Sequence, residues 1–222
     1  MFKPADLFDL TQTAHPALFD GCAWAWDALK RLESYLDANL QPGLHNRCEG
    51  VAYIGEGTVV EDGAMIKGPA IIGRNCQIRH NAYIREHVIV GDGCVVGNSC
   101  ELKHSILFNR CQVPHFNYVG DSVLGYKTHL GAGVKISNVR IVPGNVTVEI
   151  DGKPFDTGLR KFGALLGDFA EVGCNAVLNP GTILGRNSLV YPCTNWRGVL
   201  SANCIAKNRA AVEVMQRTKR GN

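Results

Sequence analysis

The sequence predicts an all-β fold in which hexapeptide repeats wind into a parallel β-helix, with helical segments at its ends and one inserted hairpin. Large apolar residues recur at every sixth position over ten consecutive repeats. Small residues mostly follow four positions after each of them, and two segments do not fit the pattern. A hydrophobic content of 45% and a charged content of 19% in 222 residues are typical of one extended globular domain.

The two columns predict how the interior of the β-helix is filled. The apolar column contains Ile54, Val60, Ile66, Ile72, Ile78, Ile84, Val90, Val96, Leu102 and Phe108. The column of mostly small residues contains Thr58, Ala64, Ala70, Cys76, Ala82, Val88, Cys94, Cys100, Ile106 and Gln112. Aliphatic side chains of successive coils are expected to stack along the axis, whereas a narrow corner admits only small groups. Three hexads make one triangular coil, and we interpret the three cysteines of the second column as structural.

A second tract of the same repeat extends the predicted β-helix. Its apolar column contains Leu166, Val172, Leu178, Leu184 and Val190, and the small partners are Ala170, Ala176, Thr182, Ser188 and Thr194. Between the tracts, Leu124, Leu130 and Ile136 keep the period in a shifted phase. We therefore predict a helical segment over residues 1–50, the β-helix over 51–198 and a helical tail over 199–222.

The N-terminal segment is predicted to contain one amphipathic helix over residues 23–40. Trp26, Leu29, Leu36 and Leu40 fall mostly on one face of this helix, and a glycine follows as a stop signal. We expect the helix to cap the first coil or to pack on a neighbouring subunit.

The second break in the repeat, residues 139–160, reads as a hairpin. Its alternating VTVEI stretch is followed by Asp151-Gly152, which favours a tight turn. We expect this hairpin to project from the prism and to form a wall of an active site.

The C-terminal tail contains four basic residues, Arg209, Arg217, Lys219 and Arg220. They are expected to be solvated, although they could reach the phosphates of coenzyme A.

Composition excludes several classes of function. The formal net charge of +3 and the absence of a run of like charges argue against a nucleic-acid surface. The N-terminus does not have the pattern of a signal peptide, and no stretch approaches eighteen consecutive apolar residues, so we expect a cytoplasmic protein without a membrane span. The nine cysteines include no CxxC pair, which disfavours a disulfide framework or a zinc site.

Residues 96–133, VGNSCELKHSILFNRCQVPHFNYVGDSVLGYKTHLGAG, carry a more specific signal. They resemble the left-handed β-helix acyltransferases, and within them the acetyltransferase half of the bifunctional enzyme that makes UDP-N-acetylglucosamine. The resemblance implies a homotrimer with active sites between adjacent prisms, acetyl-CoA as co-substrate, an amino-sugar phosphate as acceptor and no metal. Residues 1–50 show no Gly-rich phosphate cradle, so uridylyl transfer is not expected.

The resemblance implies that His115 is the general base and that Arg85 and Lys103 bind the phosphate and sugar of the acceptor. An imidazole titrates near neutral pH and can therefore accept and release a proton. Eighteen positions, one full coil, separate Arg85 from Lys103, so both side chains should lie on one face and converge on one phosphate. Glu101 is expected to pair with Lys103.

The remaining site residues follow from the resemblance alone. Tyr118, Asn138 and Lys161 are implied on the acceptor side. His129 stands where the family has an asparagine facing the sugar, and this difference bears on acceptor choice. Ala132 and Cys174 are implied to contact acetyl-CoA through the backbone of successive coils, and small residues permit this close approach.

Two other functions are compatible with the repeat. One is a non-catalytic β-helix module for binding or assembly. A stand-alone protein that has the family's name of sugar nucleotidyltransferase without that activity is a separate alternative, of name rather than of function. The other function is that of a zinc-dependent carbonic anhydrase, which needs three histidines meeting between subunits. The histidines that prompt this idea are His80, His87, His104, His115 and His129.

Overall fold

A computed structural model describes residues 2–40, 52–150 and 152–208 of the chain. Its strands form a left-handed parallel β-helix, which confirms the predicted fold class. The helices α1 (Pro4–Leu7) and α2 (Asp27–Asn39) and the 3-10 helices Leu10–Gln12 and Pro16–Phe19 precede it. No helix within the described ranges is long and apolar enough to cross a membrane.

Within the described ranges, twenty-five strands follow the helices. They are β1 (Ala52–Ile54), β2 (Val59–Val60), β3 (Met65–Ile66), β4 (Ala70–Ile72), β5 (Gln77–Ile78), β6 (Tyr83–Ile84), β7 (Val88–Val90), β8 (Val95–Asn98), β9 (Glu101–Lys103), β10 (Ser105–Leu107), β11 (Gln112–His115), β12 (Tyr118–Gly120), β13 (Val123–Leu124), β14 (His129–Leu130), β15 (Lys135–Ile136), β16 (Thr147–Ile150), β17 (Lys153–Asp156), β18 (Ala164–Leu166), β19 (Glu171–Val172), β20 (Val177–Leu178), β21 (Thr182–Leu184), β22 (Leu189–Val190), β23 (Asn195–Trp196), β24 (Val199–Leu200) and β25 (Ile205–Ala206).

Three parallel sheets form the sides of the prism, and each strand pairs with the strand one coil further along. Sheet A contains β1, β4, β7, β10, β13, β18, β21 and β24. Sheet B contains β2, β5, β8, β11, β14, β19, β22 and β25, and sheet C contains β3, β6, β9, β12, β15, β20 and β23. Pairs such as Ile54 with Ile72 and Ile84 with Leu102 place the predicted apolar column in register inside the prism.

The end of the first apolar column differs from the prediction. Leu107, and not Phe108, pairs with Val90, because the repeat between Leu102 and Leu107 has five residues rather than six. The same shift places Ser105 and Cys111 at the narrow corners that Ile106 and Gln112 were expected to fill. Ser105 and Cys111 are fully buried. Phe108 instead packs against the N-terminal segment, with ring centroids 5.1 Å from Phe8 and 5.6 Å from Phe19.

The cysteines at the corners are buried and make hydrogen bonds to the backbone. The thiols of Cys76, Cys94 and Cys100 donate to the carbonyl oxygens of residues in the next coil, at 3.0, 3.1 and 3.1 Å. The eight cysteines in the described ranges form no disulfide. These contacts agree with a structural role for the corner cysteines.

The N-terminal segment packs along sheet A rather than over the open end of the β-helix. The outward residues of sheet A are mostly apolar, and Ile89, Ile106 and Leu165 are fully buried, while Phe8 and Phe19 of the N-terminal segment contact Phe108 directly after β10. Strands of sheets B and C mostly alternate an exposed or half-buried outward residue with a buried inward one. The apolar outer face of sheet A is the physical reason for this position, since covering it removes apolar surface from water.

Backbone hydrogen bonds extend this contact toward later coils. The Asn109 amide donates to the Gln12 carbonyl at 3.1 Å, and the Asp9 amide donates to the buried Asp168 carboxylate at 2.7 Å. The helix α2 begins at Asp27, four residues later than predicted, and the Trp24 amide donates to the Asp27 carboxylate at 3.0 Å. Trp24 and Trp26 stack on each other before the helix, at 5.2 Å between centroids.

The inserted hairpin consists of β16 and β17, which pair antiparallel as expected. Val146 and Val148 are buried at its base. On the other strand, the Phe155 ring lies 5.1 Å from Trp24 and 6.0 Å from Trp26. The N-terminal segment therefore anchors the hairpin as well as sheet A.

The β-helix continues past the predicted boundary at residue 198. Leu200 pairs with Leu184 and Ala206 with Val190, so β24 and β25 add to the stack because their inward side chains keep the register. Residues 209–222, with most of the predicted helix and all four basic residues of the tail, lie outside the described residues.

We expect Phe108→Ala to lower the free energy of unfolding by about 3–5 kcal/mol, because it removes a fully buried ring that joins the N-terminal segment to the prism. Denaturant unfolding followed by tryptophan fluorescence measures this change. Phe116→Ala is the matched control, since this phenylalanine is 60% exposed. Equal losses in the two variants would contradict the packing role of Phe108.

Candidate functional site

Three of the residues expected on the acceptor side, Arg85, Lys103 and Tyr118, lie on the outer face of sheet C. Arg85 and Lys103 follow Ile84 and Leu102, which are paired neighbours, so the two cations stack one coil apart. Tyr118 pairs with Glu101 and lies one coil further along. Because adjacent parallel strands are about 4.8 Å apart, these side chains share one narrow strip of the face.

Carboxylates hold the cations of this strip in place. Arg85 Nη1 lies 2.9 Å from Glu101 Oε1, and Arg85 Nε lies 3.5 Å from Glu86 Oε2. Glu101 thus pairs with Arg85 and not with Lys103. Its backbone pairs with Tyr83, so its side chain reaches diagonally to Arg85 in the neighbouring coil. Lys67 Nζ donates to Glu86 at 2.6 Å, and this hydrogen bond, with further help from nearby Arg85, lowers the pKa of Glu86 to about 2.

Asp121 joins the acceptor-side residues, and our reading of the sequence missed it. Its Oδ2 accepts from Asn138 Nδ2 at 2.5 Å and lies 3.8 Å from Lys103 Nζ, while Oδ1 lies 3.2 Å from His104 Nδ1. Burial raises the pKa of this carboxyl, but the contacts with His104, Asn138 and Lys103 outweigh burial and leave the pKa below its ordinary value. A buried carboxylate needs such partners.

A signal for Asp121 does exist in the sequence. It follows strand β12 at a corner, with a left-handed φ of 48°, about one coil after Lys103 and His104 and one coil before Asn138. An acidic residue between cationic and amide neighbours of adjacent coils indicates a network across the corner. Asn138 Nδ2 also lies 3.3 Å from Tyr118 Oη, so the network reaches the expected acceptor tyrosine.

His115 lies at the end of β11, at the corner between sheets B and C. Its side chain is exposed, and the imidazole has no hydrogen-bond partner within the described part of the chain. The backbone is fixed instead, since its amide donates to Asn117 Oδ1 at 3.1 Å and its carbonyl accepts from Gly133 at 2.9 Å. The ring is therefore held at its base and open to a ligand.

The expected coenzyme residues stack on the same corner as His115. The Gly133 amide donates to the His115 carbonyl, and the Asn175 amide donates to the Ala132 carbonyl, both at 2.9 Å. His115, Ala132 and Cys174 thus occupy equivalent positions in successive coils. A cavity of about 310 Å³ beside this corner is lined by His129, Gly131, Glu171, Gly173, Cys174 and Pro192, among others.

Of the other two residues expected on the acceptor side, His129 lies apart from the strip on sheet C and Lys161 lies next to it. His129 projects from sheet B, where it pairs with Gln112 and Glu171, so one protomer does not bring it to Tyr118. Lys161 is exposed and bridges to Val139, directly after Asn138. The structure therefore places Lys161 beside the acceptor side despite the inserted hairpin.

The chain is similar to several known proteins. Residues 66–151 match the family described as GMPPB C-terminal domain. A bifunctional sugar-1-phosphate nucleotidylyltransferase/acetyltransferase of Sulfurisphaera tokodaii is 37% identical over 92 residues, which are 41% of this chain and 23% of that protein. A bifunctional protein GlmU of Methanococcus maripaludis is 36% identical over 105 residues, 47% of this chain and 23% of the relative.

Among solved structures, the polysialic-acid-specific acetyltransferase NeuO is similar, with a TM-score of 0.42 and 15% identity over 78% of this chain and 88% of NeuO. The chain matches less than a quarter of the length of the two curated relatives named above. The resemblance of the repeat region to the bifunctional nucleotidylyltransferase/acetyltransferases is confirmed at the level of sequence.

Glu86→Gln tests the carboxylates that hold the cations. Glu86 has a lower pKa in the folded state than the ordinary 4.5, so its stabilising effect is complete above that value and is lost as pH falls toward about 2. We expect the free energy of unfolding of the variant to fall less steeply than that of the wild type between pH 5 and pH 3. Glu56→Gln, at an exposed carboxyl without an ion pair in the described ranges, is the control. Identical slopes for wild type and Glu86→Gln would contradict the assignment.

Proposed function

We propose that this chain is an acetyl-CoA-dependent N-acetyltransferase that acts on a phosphorylated or nucleotide-linked amino sugar, with glucosamine 1-phosphate as the first acceptor to test. The observation that supports this proposal most strongly is the position of His115, an exposed histidine without a hydrogen-bond partner in the described residues, next to two other features of the prism. A strip of cations lies on the adjoining face, and a corner of small residues extends above the histidine. The names of the relatives agree with this class of reaction.

The strip on sheet C suits a sugar phosphate. Arg85 and Lys103 supply charge for the phosphate, and their carboxylate partners fix the side chains before a ligand arrives. Tyr118 lies one coil and Asn138 two coils beyond Lys103; they are hydrogen-bonded to each other and offer polar groups to the sugar. Preorganised partners reduce the entropy lost on binding.

His115 would act as the general base. The amine nitrogen of the acceptor attacks the thioester carbon, and the proton that it loses moves to the imidazole. The carbon–sulfur bond then breaks, the amide forms, and the proton passes to the departing thiolate of coenzyme A. An imidazole without a hydrogen-bond partner in the described residues is available for both transfers.

The corner above His115 would support the oxyanion of the intermediate. The amides of Gly131 and Gly133 donate to the carbonyls of Val172 and His115, whereas the Ala132 amide has no partner among the described residues. An unpaired amide at a turn is a suitable donor to a developing oxyanion. Cys174 has the equivalent position one coil further along, where the pantetheine arm would pass.

The proposal includes a cytoplasmic homotrimer that requires no metal for acetyl transfer. In one protomer, His129 and the acceptor strip face different sides of the prism. A second copy that placed its sheet B opposite sheet C of the first would bring them to one groove.

The first experiment is release of free thiol from acetyl-CoA in the presence of glucosamine 1-phosphate, glucosamine 6-phosphate or UDP-linked amino sugars. We expect release that depends on the acceptor. A folded protein that released no thiol with any of them would favour the non-catalytic binding module.

His115→Ala should reduce kcat by about two to four orders of magnitude, the usual effect of losing a general base. His80→Ala is the matched control, because His80 lies at the same corner two coils earlier and its ring contacts the Asp62 carbonyl. Unchanged turnover in His115→Ala, with the control also unchanged, would remove His115 from the mechanism.

Arg85→Ala should raise the KM for a phosphorylated acceptor about tenfold, since hydrogen bonds to charged groups are worth about 1.5–3 kcal/mol. The KM for the unphosphorylated sugar should change little. Steady-state kinetics with both acceptors measure the split, and Arg74→Ala, paired with Asp92 on another corner, serves as control. Equal effects on both acceptors would show that Arg85 does not bind phosphate.

A further inference from the structure

A second recess lies between sheet C and the inserted segment 139–160. It consists of two adjoining cavities of about 240 and 300 Å³, which share Thr147, Pro180 and Arg197 in their walls. Neither cavity contains any of the site residues expected from the sequence. The recess therefore adds a feature to the face that already carries the acceptor strip.

The recess continues the acceptor strip toward the C-terminal coils. Ser137 and Asn179 follow Ile136 and Leu178, which are paired, just as Lys103 follows Leu102 two coils before Ser137. With about 4.8 Å per coil, the recess begins about 10 Å from Lys103, on the side opposite Arg85. It cannot be reached by the phosphate that Arg85 would hold, and it lies level with the corner of Ala132 and Cys174.

Two unpaired cations face this recess. Within the described ranges, neither Arg140 nor Arg197 forms an ion pair, in contrast to Arg85, which is paired with Glu101. Arg140 Nη1 donates to the Asn145 carbonyl at 2.7 Å, which fixes the guanidinium, and Arg197 is exposed. Glu149 lines the cavity of about 300 Å³, whereas the cavity of about 240 Å³, which both arginines line, has no carboxylate in its wall. Two guanidinium groups in such a wall are suited to phosphate oxygens.

An apolar rim lies next to these cations. Ile141 is fully exposed and Val142 is 64% exposed, and both line the cavity of about 240 Å³ with Val139. Exposed aliphatic side chains favour a ligand with an apolar or aromatic surface, and small-molecule sites commonly combine such walls with a few polar groups. Phosphate and a planar base occur together in nucleotides.

We propose that this recess binds the phosphate-bearing nucleotide part of a substrate through Arg140 and Arg197, with the base against Ile141 and Val142. This inference rests on the proposed function for the source of the nucleotide, which is either the adenosine phosphate end of acetyl-CoA or the nucleotide of a nucleotide-linked amino sugar. The recess supplies the same contacts to both.

Isothermal titration of the full chain with CoA, 3′-dephospho-CoA and UDP tests the site directly. We expect Arg197→Ala and Arg140→Gln each to weaken nucleotide binding about tenfold. Arg110→Ala, an exposed arginine at a different corner that also forms no ion pair in the described ranges, should bind as the wild type does. Arg197→Ala removes an exposed side chain and should fold normally, which a melting curve verifies.

The ligands distinguish the two sources. Weaker binding of CoA with unchanged binding of UDP, and a smaller effect on 3′-dephospho-CoA than on CoA, assigns the recess to the coenzyme. Weaker binding of UDP assigns it to the acceptor. The inference would be overturned if Arg197→Ala and Arg140→Gln both bound nucleotide as tightly as Arg110→Ala does. It would also be overturned if the wild type bound neither CoA nor UDP. Failure of the proposed function is separate, because it would abolish thiol release while leaving Arg197-dependent nucleotide binding intact.

Discussion

The parallel pairing of each coil with the preceding one is the constraint on which the rest of this structure depends. Inward aliphatic residues stack only if every strand keeps its register, and a slip of one residue would turn a strand's side chains to the opposite face. The five-residue repeat that ends at Leu107 is compatible with this rule because the pairing with Val90 is kept. Each outward side chain thereby receives a fixed height and a fixed face, which is how Arg85 comes to lie beside Lys103 and within reach of Glu101.

The three faces of the prism have different chemistry. Sheet A has an apolar outer surface and is covered by the N-terminal segment, so it contributes stability rather than a binding site. That segment also anchors the hairpin through Trp24 and Phe155, and the base of the hairpin forms one wall of the recess on sheet C. A segment on one side of the molecule therefore supports a wall on another.

The cations along sheet C differ in whether they have a carboxylate partner. Arg85 and Lys103 have carboxylate partners that hold them in position, whereas Arg140 and Arg197 have none in the described ranges. A paired cation is preorganised but partly neutralised, and an unpaired cation keeps its full charge for an anion. The two ends of the strip thus suit two different phosphates. Along the prism axis, the exposed imidazole of His115 lies between these two ends, at the corner next to sheet C.

The repeat alone determined the β-helix, the inward column up to Leu102 and the stacking of Arg85 on Lys103, because a period of six maps directly onto a triangular coil. Resemblance contributed His115, Ala132 and Cys174, which the structure places on one corner. Only the tertiary structure decided the position of Phe108, the covering of sheet A, the contacts of Asp121 and the separation of His129 from Tyr118. These features depend on contacts between distant segments and on a one-residue change of phase, and a local hexad pattern does not contain that information.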